Sequence, residues 1–203
     1  MTFLLDTSED LAVCASELNV DIAQVGQLLT PLNRLANRGG LFAIDNGAYS
    51  EGLQLKAFET RLEKELPNRK RCKFVVVPDV VGSQRRTLEL FPIWQERLMG
   101  WPLALAIQNG VEHFDLPWAE IEAVFIGGDN QFKISAPALH VIRAAQALGK
   151  WTHVGRVNTA DRYEWCVKHG VDSIDGSGIS MYSHMRRQII SDQPSLPLVE
   201  AFT

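Results

Sequence analysis

The sequence predicts an α/β protein of the (β/α)-barrel class. Three observations point there. Apolar runs of strand length alternate with amphipathic stretches along the whole chain. The run Phe74–Val77 is apolar at consecutive positions, as in strands buried on both faces of a parallel sheet. Five segments end alike, an apolar run stopping on a polar or glycine-rich cluster: LFAIDNGAYS, FVVVPDVVGS, LALAIQNG, AVFIGGDN and VDSIDGSGIS. Loops at the carboxyl ends of parallel strands share one face, so these clusters are expected to meet.

The elements follow in order. Phe3–Leu5 reads as a short first strand, and Ser8 as the cap of a helix through Leu11, Cys14 and Leu18. A second strand covers 41–45, and Leu55, Phe58, Leu62 and Leu66 form one helical stripe before Pro67. The strand 74–77 leads to a helix capped by Ser83, carrying Leu88, Phe91, Trp94 and Leu98, with a kink expected at Pro92. Strands at 103–107 and 123–126 come next. Ser135 and Pro137 open a helix that Gly149 closes. The strand 151–155 precedes a helix from Thr159 to Gly170, and a last strand reaches Ile174. A helix around Met181–Ile190 and a proline-containing tail complete the chain.

Seven strand candidates result, so the barrel is small and short of a complete eighth unit. An open doubly wound parallel sheet is the alternative. At 203 residues the chain suits one catalytic domain, 1–203. Hydrophobic content of 46% and charged content of 22% are ordinary for a globular protein. The start MTFLLDTSED lacks a basic n-region, and no apolar run approaches the roughly 20 residues that span a bilayer. A cytoplasmic protein without membrane contact is expected. Cys14, Cys72 and Cys166 form no CxxC, and the five histidines add no metal-ligand spacing. No metal and no cofactor are expected, and the cysteines read as reduced, buried apolar residues.

A net charge of −4 argues against indiscriminate nucleic-acid binding but leaves room for a local basic track. Arg85, Arg86, Arg156, Arg186 and Arg187 follow carboxyl ends of predicted strands, on the face where the polar clusters meet. Arg69, Lys70, Arg71 and Lys73 precede a strand and should occupy the opposite face as a solvated cluster.

Each polar strand end admits a plain and a chemical reading. Asp45 before Asn-Gly can be a turn residue bonding nearby amides. Asp79, stiffened by Pro78, can cap the next helix or accept two N–H donors from a guanine-like edge. Gln108 offers a donor and an acceptor, to a purine or to the backbone. Gly127–Gly128 can form a tight turn or let a flat ring approach backbone N–H groups. Asp172 and Asp175 fall on opposite faces of a strand, so only one can enter a shared site.

As an ordered set, DNGAYS, PDVVG, IQNG, VFIGGDNQFK, HVGRVNT and DSIDGSG, spanning about Leu41 to Ser180, resemble the tRNA-guanine transglycosylase superfamily. They are most similar to phage-type relatives that insert 7-deazaguanines into DNA. The resemblance implies a TIM-type barrel transferase exchanging guanine for a free 7-deazaguanine base. It assigns Asp175 as nucleophile and Asp45 as acid/base. It also assigns Asp79 and Gln108 to the guanine edge, and Gly127 and Gly128 to the base carbonyl through their backbone N–H groups. The cysteine-rich zinc subdomain of the tRNA enzymes and their segment following the nucleophile have no counterpart in this sequence, which points away from tRNA and leaves DNA, the expected polymer, or another nucleic acid. Two carboxylates suit base exchange with retention, one attacking the sugar and one carrying protons. The target nucleotide must leave its stack, and Tyr49, Phe132 and Trp151 are the aromatic candidates near the mouth, Trp151 reading rather as a core residue. Two other readings stand beside this one. One is a barrel lyase or isomerase on a small phosphorylated substrate, with Asp45 and Asp175 as acid and base. The other is a non-catalytic nucleic-acid-binding subunit.

Overall fold

The computed structural model of the chain describes residues 1–6, 10–33 and 36–191. Eight parallel strands close into a barrel in chain order: β1 (Thr2–Leu5), β2 (Val25–Leu29), β3 (Phe42–Ile44), β4 (Cys72–Val76), β5 (Leu103–Ile107), β6 (Ala123–Ile126), β7 (Trp151–Val154) and β8 (Ser173–Asp175). β8 pairs back onto β1, with Leu4 opposite Asp175. The fold is therefore a TIM-type (β/α) barrel with no exposed sheet edge. The open sheet is ruled out, and the barrel is not short of a unit.

The strand absent from the sequence reading is β2, VGQLL. Gly26 and Gln27 interrupt its apolar run, and both have structural reasons to be there. A Cβ on Gly26 would lie 2.7 Å from the Leu41 carbonyl oxygen. The buried Gln27 side chain donates to the Ala36 carbonyl at 3.0 Å and accepts from the Arg38 N–H at 2.7 Å.

Helices pack outside the barrel between strands. α1 (Leu11–Glu17) is capped by Asp10, whose carboxylate accepts from the Ala12 and Val13 N–H groups. Ser8, the expected cap, lies outside the described residues. After α2 (Ala48–Glu51) and α3 (Leu55–Glu65), a 3-10 turn at Leu66–Arg71 takes in Pro67. α4 (Gln84–Arg97) is capped by Ser83 and accommodates Pro92 in its interior. α5 (Ala136–Ala147) starts at the Ser135 cap, and α6 (Ala160–Lys168) at the Thr159 cap. The helix expected at 181–190 forms instead as α7 (Ser177–Met181) and α8 (Ser183–Ser191), interrupted at Tyr182, which has extended backbone.

Strand alternation divides the core in two. Leu4, Leu28, Ala43, Phe74, Val76, Ala104, Ala106 and Ala123 fill the barrel interior. Outward residues such as Phe3, Ile44, Val75 and Ile107 join a larger cluster with Phe58, Trp94, Ile142 and Cys166 of the helices. Cys14, Cys72 and Cys166 are buried and unpaired. Among the described residues no helix is long and apolar enough to cross a membrane.

Candidate active site

Asp45, Asp79, Gln108, Gly127–Gly128 and Asp175 sit at or just after the carboxyl ends of β3, β4, β5, β6 and β8. All of them line one cavity of about 190 Å³ at that mouth of the barrel. The strand-end clusters thus meet in one cavity, which a fourth carboxylate, Asp6, from the loop after β1, also lines. A larger recess of about 940 Å³ opens at the opposite end, beside Lys70, Arg71, Lys73 and Trp151. The basic cluster 69–73 is thus on the far face, and that recess contains none of the strand-end groups.

Asp79 and Gln108 are joined directly. Gln108 Nε2 donates to Asp79 Oδ2 at 2.5 Å, and the buried Asn46 donates to Asp79 Oδ1 at 2.8 Å. The Gln108 carbonyl accepts from the N–H groups of Gly82 and Gly128, each at 3.1 Å. Gln84 Oε1 accepts the Gln108 backbone N–H at 2.7 Å. The expectation of two free backbone donors at the double glycine needs correcting. The Gly127 N–H is held by the Ile107 carbonyl at 2.9 Å as part of the barrel ladder. Gly128 must exchange Gln108 for a ligand before it can donate outward. Space nonetheless constrains both glycines, Gly128 strictly and Gly127 less so. A Cβ on Gly127 would lie 3.2 Å from Gln108 Nε2. One on Gly128, with φ +68°, would lie 2.6 Å from the Phe132 ring.

The two carboxylates assigned to chemistry live in different environments. Burial, followed by the neighbouring Asp175 charge, raises the Asp45 pKa to about 7, against weak help from the Gly47 N–H at 3.4 Å. Asp175 is buried but well supplied with donors. His153 Nε2 lies 2.9 Å and the Arg156 N–H 3.2 Å from its Oδ1. Asp79 is also raised, first by burial, with Asn46 and Gln108 opposing. Asp172, by contrast, lies at the other end of the barrel, tied to Thr152 N and Oγ1 at 2.8 and 2.7 Å.

Arg156 reaches across the mouth. Its Nη2 donates to the Gly128 carbonyl at 2.6 Å, and its guanidinium carbon lies 3.5 Å from the Tyr49 ring centroid. Its backbone takes the left-handed φ of +57°, uncommon outside glycine. Arg85 and Arg86 are exposed on the first turn of α4, and Arg187 is exposed on α8, bonded to Ser183. Arg186 departs from the expected track: it is buried, paired with Glu17 at 2.6 Å and donating to the carbonyls of Ile179 and Ser180. It fastens α8 to α1 and α7 and is not offered to a polymer. Of the aromatic candidates only Tyr49 stands at the mouth. Phe132 is buried behind Gly128, and Trp151 begins β7 at the far end.

Sequence reasoning missed Asp6, Asn46, His153 and Lys133. Asn46 was visible as the second residue of DNG, and His153 as the inward position of the strand WTHV. Lys133, in the 3-10 turn Phe132–Ile134, closes the segment VFIGGDNQFK but received no role there. Its buried ammonium has its pKa lowered to about 7, first by burial and then by Arg156. Among the described residues no group of three or more His, Cys, Asp or Glu side chains is arranged to hold a metal ion.

No family profile and no curated protein matches the sequence. Among solved structures, phosphoribosyl anthranilate isomerase from Thermus thermophilus is 15% identical, with TM-score 0.48, covering 94% of this chain and 97% of its own. Malate synthase from Haloferax volcanii, in a pyruvate/acetyl-CoA ternary complex, is 11% identical with TM-score 0.49, covering 96% of this chain and 70% of its own. BlrP1 from Klebsiella pneumoniae is 14% identical with TM-score 0.43 over 68% of this chain. The chain spans only 38% of the length of BlrP1. All three TM-scores lie below 0.5, and none of the three carries the name of a transglycosylase.

Proposed function

We propose that this chain is a nucleic-acid guanine transglycosylase that exchanges guanine for a free 7-deazaguanine, with DNA as the polymer. One observation carries the reading. Two carboxylates face one cavity, Asp45 with a pKa raised to about 7 and Asp175 held by hydrogen-bond donors. Environments that set two carboxyl groups apart are how an acid/base and a nucleophile are assigned.

In this reading Asp175 attacks C1′ of the flipped nucleotide as the bond to guanine N9 breaks. Protonated Asp45 gives its proton to the departing base. The Asp45 carboxylate then takes a proton from the entering 7-deazaguanine, whose N9 attacks C1′ and releases Asp175. Two displacements retain the sugar configuration. Asp79, positioned by Asn46, receives N–H donors of the base, and Gln108 turns from Gly128 toward it. The test is mass spectrometry of nucleosides from DNA incubated with the protein and 7-cyano-7-deazaguanine. A deazanucleoside should form, and Asp175→Ala should abolish it. DNA left unmodified under conditions of demonstrated binding would defeat the proposal.

A second reading, a barrel lyase or isomerase on a small phosphorylated substrate, draws on the Arg156 closure. The cavity of about 190 Å³ beneath that side chain fits a small ligand, and a guanidinium suits its phosphate. Stabilisation by small sugar phosphates, with no deazanucleoside formed, would favour it. Binding of DNA with neither outcome would favour a non-catalytic subunit.

A further inference from the structure

Inside the barrel, β7 and β8 line up four side chains in a continuous chain of contacts. Trp151 Nε1 lies 2.8 Å from Ser173 Oγ, which lies 2.9 Å from His153 Nδ1. His153 Nε2 then lies 2.9 Å from Asp175 Oδ1. His153 and Ser173 are fully buried and opposite each other in the strand register. An indole N–H only donates, so Ser173 Oγ accepts from Trp151 and keeps its own proton available for Nδ1, while an ionised Asp175 carboxylate only accepts and calls for the ring proton on Nε2. A ring whose Nδ1 accepts carries its proton on Nε2, facing Asp175. The imidazole cannot turn away. Phe125 stacks on it at 4.7 Å between centroids and Phe74 closes it at 5.3 Å.

We propose that His153 is the positioning residue for Asp175. Its Nε2–H, fixed as a neutral tautomer by Trp151 and Ser173, holds Oδ1 and leaves Oδ2 as the oxygen presented to the cavity. The Arg156 N–H falls on the same Oδ1, so both donors orient the carboxylate one way. A neutral donor does this without cancelling the negative charge, which a nucleophilic carboxylate must keep. Only the identification of Oδ2 as the attacking atom rests on the transglycosylase reading.

The test uses the full chain labelled with ¹⁵N-histidine, with long-range ¹H–¹⁵N correlation at pH 7.5. His153 should show a bare Nδ1 and a protonated Nε2, and Ser173→Ala should convert it to a tautomer mixture. In base exchange, His153→Phe should lower kcat about 100-fold with base affinity unchanged, the loss typical of a misoriented reacting group. His153→Gln, which keeps a side-chain N–H donor, should recover most of it. A proton on Nδ1, or on both nitrogens, overturns the proposal, as does a folded His153→Phe that exchanges at the wild-type rate. Should the wild type exchange no base at all, the transglycosylase reading fails. The tautomer and its response to Ser173→Ala then decide the positioning role alone.

Discussion

Replacing Asp45 by Asn should stabilise the protein above neutral pH and leave it nearly unchanged in acid. Burial, reinforced by the Asp175 charge, raises the Asp45 pKa from 3.8 to about 7 in the folded state. On unfolding the group returns to its ordinary value. Below 3.8 both states are protonated and Asp45 has no effect on the balance. As pH rises toward 7 the unfolded chain ionises while the folded chain does not. Stability falls by about 1.4 kcal/mol for each pH unit. Across that window the loss reaches about 4 kcal/mol, and it then stays constant because both states are ionised. Asparagine has no charge to bury and escapes the loss. Urea unfolding of wild type and Asp45→Asn at pH 4 and pH 8 measures it. The advantage of the variant should grow by about 4 kcal/mol between the two, while base exchange disappears. A stability difference that does not change with pH would refute the burial argument, and with it the use of Asp45 as the proton carrier.

Asp79→Ala removes the acceptor of Asn46 and Gln108 and should cost about 1–3 kcal/mol in urea unfolding. Calorimetry should also show base affinity lowered about 10- to 100-fold. Gly155→Ala would place a Cβ 2.9 Å from the Phe125 ring and 3.3 Å from Asp175 Oδ1. A loss of about 1–3 kcal/mol in thermal or urea unfolding is expected, together with slower exchange. Charge reversal at Arg85 and Arg86 should reduce the slope of log affinity against log salt for DNA by about 0.7–0.9 per lost phosphate contact. The same change at Arg69, Lys70 and Arg71, on the far face, should leave the slope alone.

The architecture was legible because a buried parallel strand has little choice of composition. FVVV and LALAI cannot be solvent-facing, and the polar residues closing them mark the mouth. β2 was illegible because its glycine answers to neighbours distant in sequence: the approach of the Leu41 carbonyl and of the Leu4 side chain explains Gly26. In the site, residues displayed at strand ends could be read, whereas partners recruited across strands could not. His153 matters through Ser173, twenty residues away, and Gly128 is engaged by an amide from β5. Arg186 misled because its position after a strand end says nothing about Glu17, which claims it. Lone arginines near a predicted face have two fates, and local sequence does not separate them.

The Arg156 side chain sets a threshold for entry to the cavity. Its charged hydrogen bond to Gly128 is worth about 1.5–3 kcal/mol and its contact with Tyr49 about 0.5–1. Breaking both leaves the open form roughly 0.1–3% populated, so a ligand that merely waits for it binds some 30- to 1000-fold more weakly than its contacts would allow. A ligand bearing a phosphate can instead draw the guanidinium onto itself as it arrives, replacing one partner with another. Under the proposed function, a mouth latched in this way would discriminate by order of arrival, admitting the phosphate-bearing polymer before the bare heterocycle.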